Sequence, residues 1–234
     1  MALIDVQDLK IHFFTFRGAA KAVDGVSFQI NENQTLGLIG ESGCGKTTTA
    51  MAMMKFVKPP GAIVRGQILF DGSDILGMDD EQIRLLRGKD IAIVRQEAQN
   101  ALNPVMTIGK QITELILEHE AVTKKAALAR AQNQLNLVGI SDKRIDSYPH
   151  EFSGGMKQRA MVAIATACNP KLLILDEPTT GLDVIVQRQI LNMLKNLKEE
   201  LTLTSVFISH DLSVVAETCD RVAVMYAGKL MEET

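Results

Sequence analysis

The chain has 234 residues, of which 46% are hydrophobic and 23% are charged, with a formal net charge of −3. This length suits one large α/β domain or two small ones, and the composition is that of an ordinary globular protein. All uninterrupted apolar stretches are far shorter than the ~18 residues of a membrane-spanning helix, so we expect none. The charge excludes a basic surface over the whole chain of the kind that binds nucleic acid.

The N-terminal residues and the cysteines bear on the cellular compartment. Residues 1–8 contain acidic side chains and no basic segment before an apolar core. We therefore expect no signal peptide and a protein that stays in the cytoplasm. Cys44, Cys168 and Cys219 are isolated in the sequence, which argues against a disulfide framework and against a cysteine metal site.

The first ninety residues are predicted to form mainly strands. Residues 3–16 and 26–30 predict two strands around a turn at Arg17-Gly18, as in a small antiparallel sheet. The other elements predicted here are a strand over 67–70 before Asp71-Gly72, a helix from an Asp79 N-cap to Leu86, and a strand over 90–94.

A glycine-rich loop interrupts this part of the chain, between an apolar run that ends at Gly40 and a helix predicted over 47–56. Its spacing, Gly40-x-x-x-x-Gly45-Lys46-Thr47, is the P-loop pattern, in which backbone N–H groups turn towards phosphate oxygens. The lysine then reaches the β- and γ-phosphates, the threonine hydroxyl holds Mg²⁺, and the helix N-terminus adds about half a positive charge. The nucleotide-binding residues predicted here are Gly40, Glu41, Ser42, Gly43, Cys44, Gly45, Lys46, Thr47 and Thr48.

Helical patterns dominate from about residue 98 to residue 167. They predict helices over 108–118 and 123–137, with Thr123 as an N-cap, and another helix after Gly155. We expect a single domain over 1–234, in which 1–97 and 168–234 form the nucleotide-binding core and about 98–167 form an inserted helical subdomain.

Strands and helices alternate in the last third of the chain, with strands predicted over 172–175, 205–208 and 222–225. A helix predicted over 184–201 carries an apolar stripe formed by Ile190, Leu194, Leu197 and Leu201. Such alternation predicts an α/β fold with a mainly parallel sheet that is covered on both faces.

Two carboxylates follow the apolar strand over 172–175, at the strand end where ligands bind in open α/β sheets. Asp176 matches the carboxylate that holds Mg²⁺ through its water shell in P-loop enzymes. Glu177 is placed to orient and deprotonate an attacking water. The alternative is a strand-end turn with two solvated acids.

Ser153, Gly154 and Gly155 directly precede a predicted helix. Free N–H groups and a hydroxyl at a helix N-terminus form a second candidate anion site. The alternative is an ordinary serine cap followed by flexible glycines.

With these motifs, the chain resembles the ATP-binding subunits of ABC transporters over nearly its whole length. The motifs stand in that family's order: the P-loop, Gln96 after a strand, Ser153-Gly154-Gly155, Asp176-Glu177, Gly181-Leu182-Asp183 and Ser209-His210-Asp211. Phe152 departs from the leucine usual at its position, and a bulky apolar residue should still anchor the helix entry. The resemblance implies the P-loop ABC ATPase fold, with a mainly parallel core sheet, a small antiparallel β subdomain and an inserted helical subdomain.

The resemblance also implies roles for residues outside the P-loop. Gln96 resembles the glutamine that contacts Mg²⁺ or the attacking water and links the core to the helical insert; a surface amide is the alternative. His210 is similar to the switch histidine that hydrogen-bonds the γ-phosphate near Glu177, and the alternative is a structural histidine. Asp183 resembles the aspartate that links the two ATPase subunits.

An aromatic side chain stacks on adenine in this family, and three phenylalanines are candidates for that position. Phe13 aligns best with it. Phe14 and Phe16 lie close by and remain alternatives, as does a simple core role for Phe13.

Four short stretches of the sequence make the resemblance more specific: they are similar to the importers of oligopeptides, dipeptides and nickel. The stretches that carry this likeness are 40–46, 100–104, 148–153 and 209–228. Members of this branch energise uptake of a ligand that an extracytoplasmic binding protein delivers. They usually continue past the position of Thr234, often with a cysteine-rich extension, and whether one follows here stays open.

The function implied is ATP hydrolysis that energises import of peptides or nickel-type solutes, with ATP and Mg²⁺ bound. The partners implied are a second ATP-binding subunit, identical or related, the membrane permease subunits and, indirectly, the binding protein, at the cytoplasmic face of the inner membrane; no nucleic acid is implied.

The alternative is a non-transport ABC ATPase that acts on nucleic acid or ribosomes, whose tandem cassettes or coiled-coil insertion this chain lacks. A GTPase would carry an Asn-Lys-x-Asp-type motif, which is also absent.

Overall fold

The computed structural model describes residues 2–95 and 101–234. The chain divides into two compact units: residues up to Arg84 together with Thr204–Thr234, and Leu85–Leu203. The expected subdomain boundaries near 98 and 167 remain a prediction. Gln96 lies outside the described residues.

An antiparallel sheet in the first unit confirms the predicted β subdomain. Its strand order is β2-β1-β4-β5, with β1 at Ala2–Thr15, β2 at Gly18–Asn31, β4 at Gly61–Phe70 and β5 at Ser73–Asp74. Both β2 and β4 begin earlier than predicted, because their first halves, exposed in β2 and partly buried in β4, also pair with β1: Ala20 and Gly61 both lie opposite Phe13. Pairing of backbone groups does not require an apolar pattern in the added strand.

The first unit also contains parallel strands. β3 (Thr35–Ile39) pairs in parallel with β8 (Thr204–Ser209) on one side and with β9 (Arg221–Tyr226) on the other. A further strand, β10 (Lys229–Glu233), is antiparallel to β9 and was not predicted. Its residues are mainly charged and exposed, and the tight turn at Ala227-Gly228, with φ of 46° and 79°, returns the chain to β9.

Three short helices accompany these strands: α1 (Lys46–Met53), α2 (Asp80–Leu86) and α7 (Leu212–Thr218). The carboxylate of Asp79 accepts a hydrogen bond from the backbone N–H of Gln82 at 2.8 Å, which confirms the predicted cap. α1 ends three residues before the predicted Phe56, because Lys55 adopts a left-handed conformation with φ of 49°.

The second unit contains four helices of seven or more residues among its described residues, together with the parallel strand pair β6 (Ile91–Val94) and β7 (Leu172–Asp176). The helices are α3 (Ile108–His119), α4 (Lys124–Leu137), α5 (Gly154–Ala165) and α6 (Val184–Leu201). The hydroxyl of Thr123 accepts a hydrogen bond from the N–H of Ala126, so the predicted cap of α4 is confirmed. In the apolar stripe of α6, Ile190, Leu194 and Leu197 are buried and Leu201 is half-buried.

Arg130 joins three of these helices. Its guanidinium donates hydrogen bonds to the carboxylate of Glu120, after α3, and to the carbonyl oxygen of Ala167, after α5, the latter at 2.7 Å. Within the described parts of the chain, no helix is both long enough and apolar enough to cross a membrane.

Candidate functional site

Two glycines of the loop after β3 stand where no side chain fits. Gly40 has φ of 150°, and a Cβ atom there would lie 2.2 Å from the carbonyl oxygen of Met225. Gly45 has φ of 107°, and its Cβ would lie 2.4 Å from the carbonyl oxygen of Ala22. Both positions combine a backbone conformation that favours glycine with close backbone neighbours. The glycines of the P-loop pattern are therefore required by the packing of β2 and β9 around the loop.

The lysine of the pattern folds back over this loop. Lys46 is the first residue of α1, is only 5% exposed, and donates from Nζ to the carbonyl oxygens of Gly40 at 2.7 Å and Glu41 at 2.8 Å. A buried ammonium needs such partners, since its desolvation is otherwise costly. These bonds hold a positive charge inside the curve of the loop.

The rest of the loop is exposed where a ligand would approach and is anchored where the protein lies behind it. Glu41, Ser42 and Thr47 are exposed, whereas Cys44 is buried and its carbonyl accepts a hydrogen bond from the N–H of Gly228 at 3.0 Å. Because a helix N-terminus, an ammonium and glycine-lined backbone converge here, the loop fits a phosphate group.

His210 lies at the same edge of the parallel strands as the P-loop. Ile39 and Ser209 are register partners on β3 and β8, so Gly40 and His210 follow at the matching strand ends. The Ser209 hydroxyl accepts a hydrogen bond from the N–H of Asp211 at 3.0 Å, and Asp211 caps α7. The backbone on each side of the exposed histidine is therefore held in place.

The structure separates the three phenylalanines that are candidates for adenine stacking. Phe13 shares a face of β1 with the buried Ile11, whose partner Val23 lies beside Gly45 of the P-loop. Phe14 points to the opposite face and is 52% exposed, and Phe16 is 94% exposed at the turn. Phe13 is thus the candidate on the face that leads to the P-loop, and its ring packs over Gly61.

The carboxylates of the second unit follow β7 as predicted. Asp176 is the last residue of the strand and is 5% exposed. Glu177 is half-buried and has φ of 48°, a conformation that is uncommon for residues with a side chain and that clusters at functional sites. The hydroxyl of Thr180 donates a hydrogen bond to Glu177 Oε2 at 2.9 Å.

Ser153 is an N-cap, so the alternative considered for it describes part of what it does. Its hydroxyl accepts a hydrogen bond from the N–H of Met156 at 3.3 Å while the residue remains exposed. Phe152 is buried beneath the guanidinium of Arg144, with 5.2 Å from Cζ to the ring centroid, which confirms an apolar anchor at the helix entry.

Gly155 and Asp183 fix how α5 meets α6. A Cβ atom at Gly155 would lie 2.6 Å from Cγ1 of Val186, so glycine allows the first turns of these helices to approach closely. Asp183 caps α6 by accepting a hydrogen bond from the N–H of Val186 at 2.9 Å. Both motifs therefore belong to one surface of the second unit, and Asp183 is exposed on it.

The sequence model of a protein family, described as ABC transporter, matches residues 23–180 of this chain. The chain belongs to the ABC transporter family. It is 49% identical to the oligopeptide transport ATP-binding protein OppD of Bacillus subtilis (strain 168), over 98% of this chain and 65% of that protein. It is 45% identical to the dipeptide transport ATP-binding protein DppD of Haemophilus influenzae, over 100% of this chain and 71% of that protein. The motif-based resemblance to the peptide branch is confirmed.

Solved structures agree on the ABC ATPase fold. A dimeric ATP-binding cassette bound to ADP and Pi in a post-hydrolysis state is 25% identical, with a TM-score of 0.87 over 99% of this chain and 97% of that one. CbiO1 from Clostridium perfringens, part of the ABC transporter complex cbiONQ, is 26% identical, with a TM-score of 0.84 over 99% of this chain and 88% of that one. The predicted fold class is therefore confirmed.

Some features of this ABC family chain had no signal in its sequence. The hydroxyl contact of Thr180 and the positive φ of Glu177 depend on the path of a loop that contains no regular pattern. Gly61, which lies beneath Phe13, precedes the predicted strand. A glycine opposite an aromatic residue would have been recognisable only once the strand register was known.

Proposed function

We propose that this chain is the ATP-hydrolysing subunit of an ABC importer of peptides. The observation that carries the proposal is the P-loop geometry: the Lys46 ammonium is bonded to the carbonyls of Gly40 and Glu41, in a loop where neither Gly40 nor Gly45 leaves room for a side chain. Its relatives bear the names of oligopeptide and dipeptide transport ATP-binding proteins, which supports peptides as the solute.

In this proposal the loop over 40–48 binds the phosphates of ATP, and Phe13 stacks on adenine. Thr47, Asp176 and Gln96 are the proposed ligands of Mg²⁺, directly or through water. A hydroxyl, a carboxylate and an amide provide the oxygen donors that this ion prefers. Among residues 2–95 and 101–234 there is no group of three His, Cys, Asp or Glu side chains that would hold a metal, and Mg²⁺ at phosphate sites usually needs only one or two carboxylates. The ion neutralises phosphate charge.

We assign the proton transfer to Glu177. Its carboxylate orients water and accepts a proton as water attacks the γ-phosphorus and the bond to the β–γ bridging oxygen breaks, so that ADP leaves. Lys46 and His210 stabilise charge on the phosphate oxygens. Ser153, Gly154 and Gly155 serve the nucleotide of a second ATP-binding subunit, identical or related, and Asp183 contributes to that contact. The exposed positions of Ser153 and Asp183 support this assignment.

The remaining partners are proposed from the family. Permease subunits bind the chain at the cytoplasmic face of the inner membrane, near residues 96–106 at the start of a helical subdomain over about 98–167. An extracytoplasmic binding protein delivers the solute to those permeases. The exposed side chain of Val105, which is 79% exposed, supports a contact in this region.

Phosphate release from Mg-ATP tests the enzymatic half of the proposal. The purified chain should hydrolyse ATP, Lys46→Ala should lose nucleotide affinity, and Glu177→Gln should bind Mg-ATP without turnover. A chain that binds no Mg-ATP, while its fold is shown by circular dichroism, would refute the proposal.

Uptake by cells tests the solute. A strain that carries Glu177→Gln at the gene for this chain should lose uptake of labelled di- and oligopeptides and keep uptake of free amino acids. Normal peptide uptake together with lost ⁶³Ni²⁺ uptake would instead assign the chain to nickel import.

A further inference from the structure

The loop between β7 and α6 ties Glu177 to Thr180 in two ways. The Thr180 hydroxyl donates to Glu177 Oε2 at 2.9 Å, and the Thr180 N–H donates to the Glu177 carbonyl oxygen at 3.3 Å. The second bond closes a turn, and the first fixes the carboxylate against it. Side chain and backbone of Glu177 are thus both held by one residue.

The backbone of Glu177 alone does not determine where its carboxylate lies. Its φ of 48° sets the direction of Cβ, but a glutamate side chain keeps further rotatable bonds and many rotamers. A hydrogen bond to one carboxylate oxygen removes most of that freedom. Because a carboxylate has two oxygens and about four lone-pair sites, the bond at Oε2 leaves capacity to accept another hydrogen.

We infer that Thr180 is a positioning residue for hydrolysis: its hydroxyl holds the Glu177 carboxylate in the orientation that accepts a proton from water. The inference rests on the proposed role of Glu177 as general base. Thr180 itself touches neither nucleotide nor water in this scheme. A general base must lie within hydrogen-bond reach of the proton that it removes, and small displacements reduce rate steeply.

The position of Thr180 also links this orientation to the rest of the loop. Gly181, with φ of 81°, follows directly, and Asp183 then caps α6. The loop is therefore held at its far end by the helix and at its near end by the Glu177 turn. The Thr180 hydroxyl connects the carboxylate of Glu177 to this hydrogen-bonded loop.

Two substitutions isolate the hydroxyl. Thr180→Val keeps the shape of the side chain and removes the O–H donor, whereas Thr180→Ser keeps the donor and removes the methyl group. In steady-state hydrolysis of Mg-ATP by the full chain, we expect Thr180→Val to lower kcat about tenfold with KM within twofold of wild type. Thr180→Ser should keep more than half of the wild-type kcat.

Three results would overturn the inference: an unchanged kcat in Thr180→Val, an equal loss in Thr180→Ser, or a raised KM with an unchanged kcat. If Thr180→Val does not reach the wild-type melting temperature within a few degrees, Thr180→Ala replaces it in the same comparison. Glu177→Gln, measured in the same assay, separates the two proposals. Normal turnover by Glu177→Gln would refute its role as base, whereas a dead Glu177→Gln beside a normal Thr180→Val would refute only the role of Thr180.

Discussion

The side-chain nitrogen of Lys46 lies 2.7 Å from the backbone carbonyl oxygen of Gly40, six positions earlier in the chain. Lys46 thus closes the P-loop, because its ammonium is hydrogen-bonded to the backbone carbonyls at the start of that loop. A compact, strongly hydrated charge such as this would otherwise remain in solvent. The loop is consequently pre-shaped with its positive charge inside.

Lys46→Ala should weaken binding of Mg-ATP by about 10–100-fold, since hydrogen bonds to a charged group are worth roughly 1.5–3 kcal/mol. Titration with a fluorescent ATP analogue measures this change. Lys229→Ala, which removes an exposed lysine from β10, is the control and should bind as wild type does. Equal affinity in Lys46→Ala and Lys229→Ala would exclude the proposed phosphate contact.

Gly45→Ala should reduce both the free energy of unfolding and ATP binding, because its Cβ would lie 2.4 Å from the carbonyl oxygen of Ala22. Gly18→Ala is a matched control: its φ is +119°, but no atom lies within 4 Å of a Cβ there. Positive φ alone costs roughly 1–3 kcal/mol for a residue with a side chain. Urea unfolding should show a larger loss for Gly45→Ala than for Gly18→Ala, and equal losses would contradict the packing argument.

Glu177→Gln should retain Mg-ATP binding and lose turnover by roughly 10²–10⁴-fold, because an amide does not accept the proton from water. Phosphate release and nucleotide titration on one preparation separate the two effects. Glu200→Gln, on the exposed last turn of α6, should hydrolyse at the wild-type rate. Near-normal hydrolysis by Glu177→Gln, with contaminating ATPase excluded, would remove Glu177 from this role.

Mixing two inactive proteins tests whether Ser153 serves the P-loop of a partner chain. One protein carries Lys46→Ala and the other carries Ser153→Arg, each inactive as a homodimer. If sites form across the interface, a mixed dimer has one site with both defects and one with neither, so activity should partly return.

Sites built within one chain would leave a defect in both sites of the mixture, and activity would stay flat. Light scattering in the presence of ATP measures dimer formation independently of turnover. The head-to-tail arrangement would be contradicted if neither activity nor ATP-dependent dimer formation recovered in a mixture that is shown to contain mixed dimers.

The ion pair between Glu120 and Arg130 predicts a pH dependence of stability. The hydrogen bond from Arg130 lowers the pKa of Glu120 below its ordinary value of 4.5. A carboxylate with a lowered folded-state pKa stabilises the fold above its unfolded pKa and loses that contribution as pH falls through the folded value. Glu120→Gln should therefore reduce the free energy of unfolding by about 1 kcal/mol at pH 7, and the difference should shrink below about pH 4.

Glu81→Gln is the control for this measurement. Arg84 also lowers the pKa of Glu81, but both side chains are largely exposed on α2. Solvent screens such a pair, so its removal should change stability less than Glu120→Gln does. A difference in the free energy of unfolding between wild type and Glu120→Gln that stays constant from pH 7 to pH 3 would contradict the assignment.

The sequence by itself determined the P-loop, the carboxylates after β7, the serine–glycine motif and most strands. Each of these is a contiguous pattern whose geometry follows from the residues themselves: strand, glycine-rich loop and helix occur in order from Thr35 to Met53. The caps at Asp79 and Thr123 were predictable for the same reason, because a side chain there bonds a backbone group three residues away.

Only the tertiary structure decided features in which distant segments meet. β10 consists mainly of charged residues, and it is a strand because β9 supplies hydrogen-bond partners. Phe13 lies on the same face of the sheet as Val23, whereas Phe14 lies on the opposite face. Position 155 requires glycine because Val186 lies close to it on another helix. Such choices depend on strand register and helix approach, which a local pattern does not encode because the neighbour lies elsewhere in the chain.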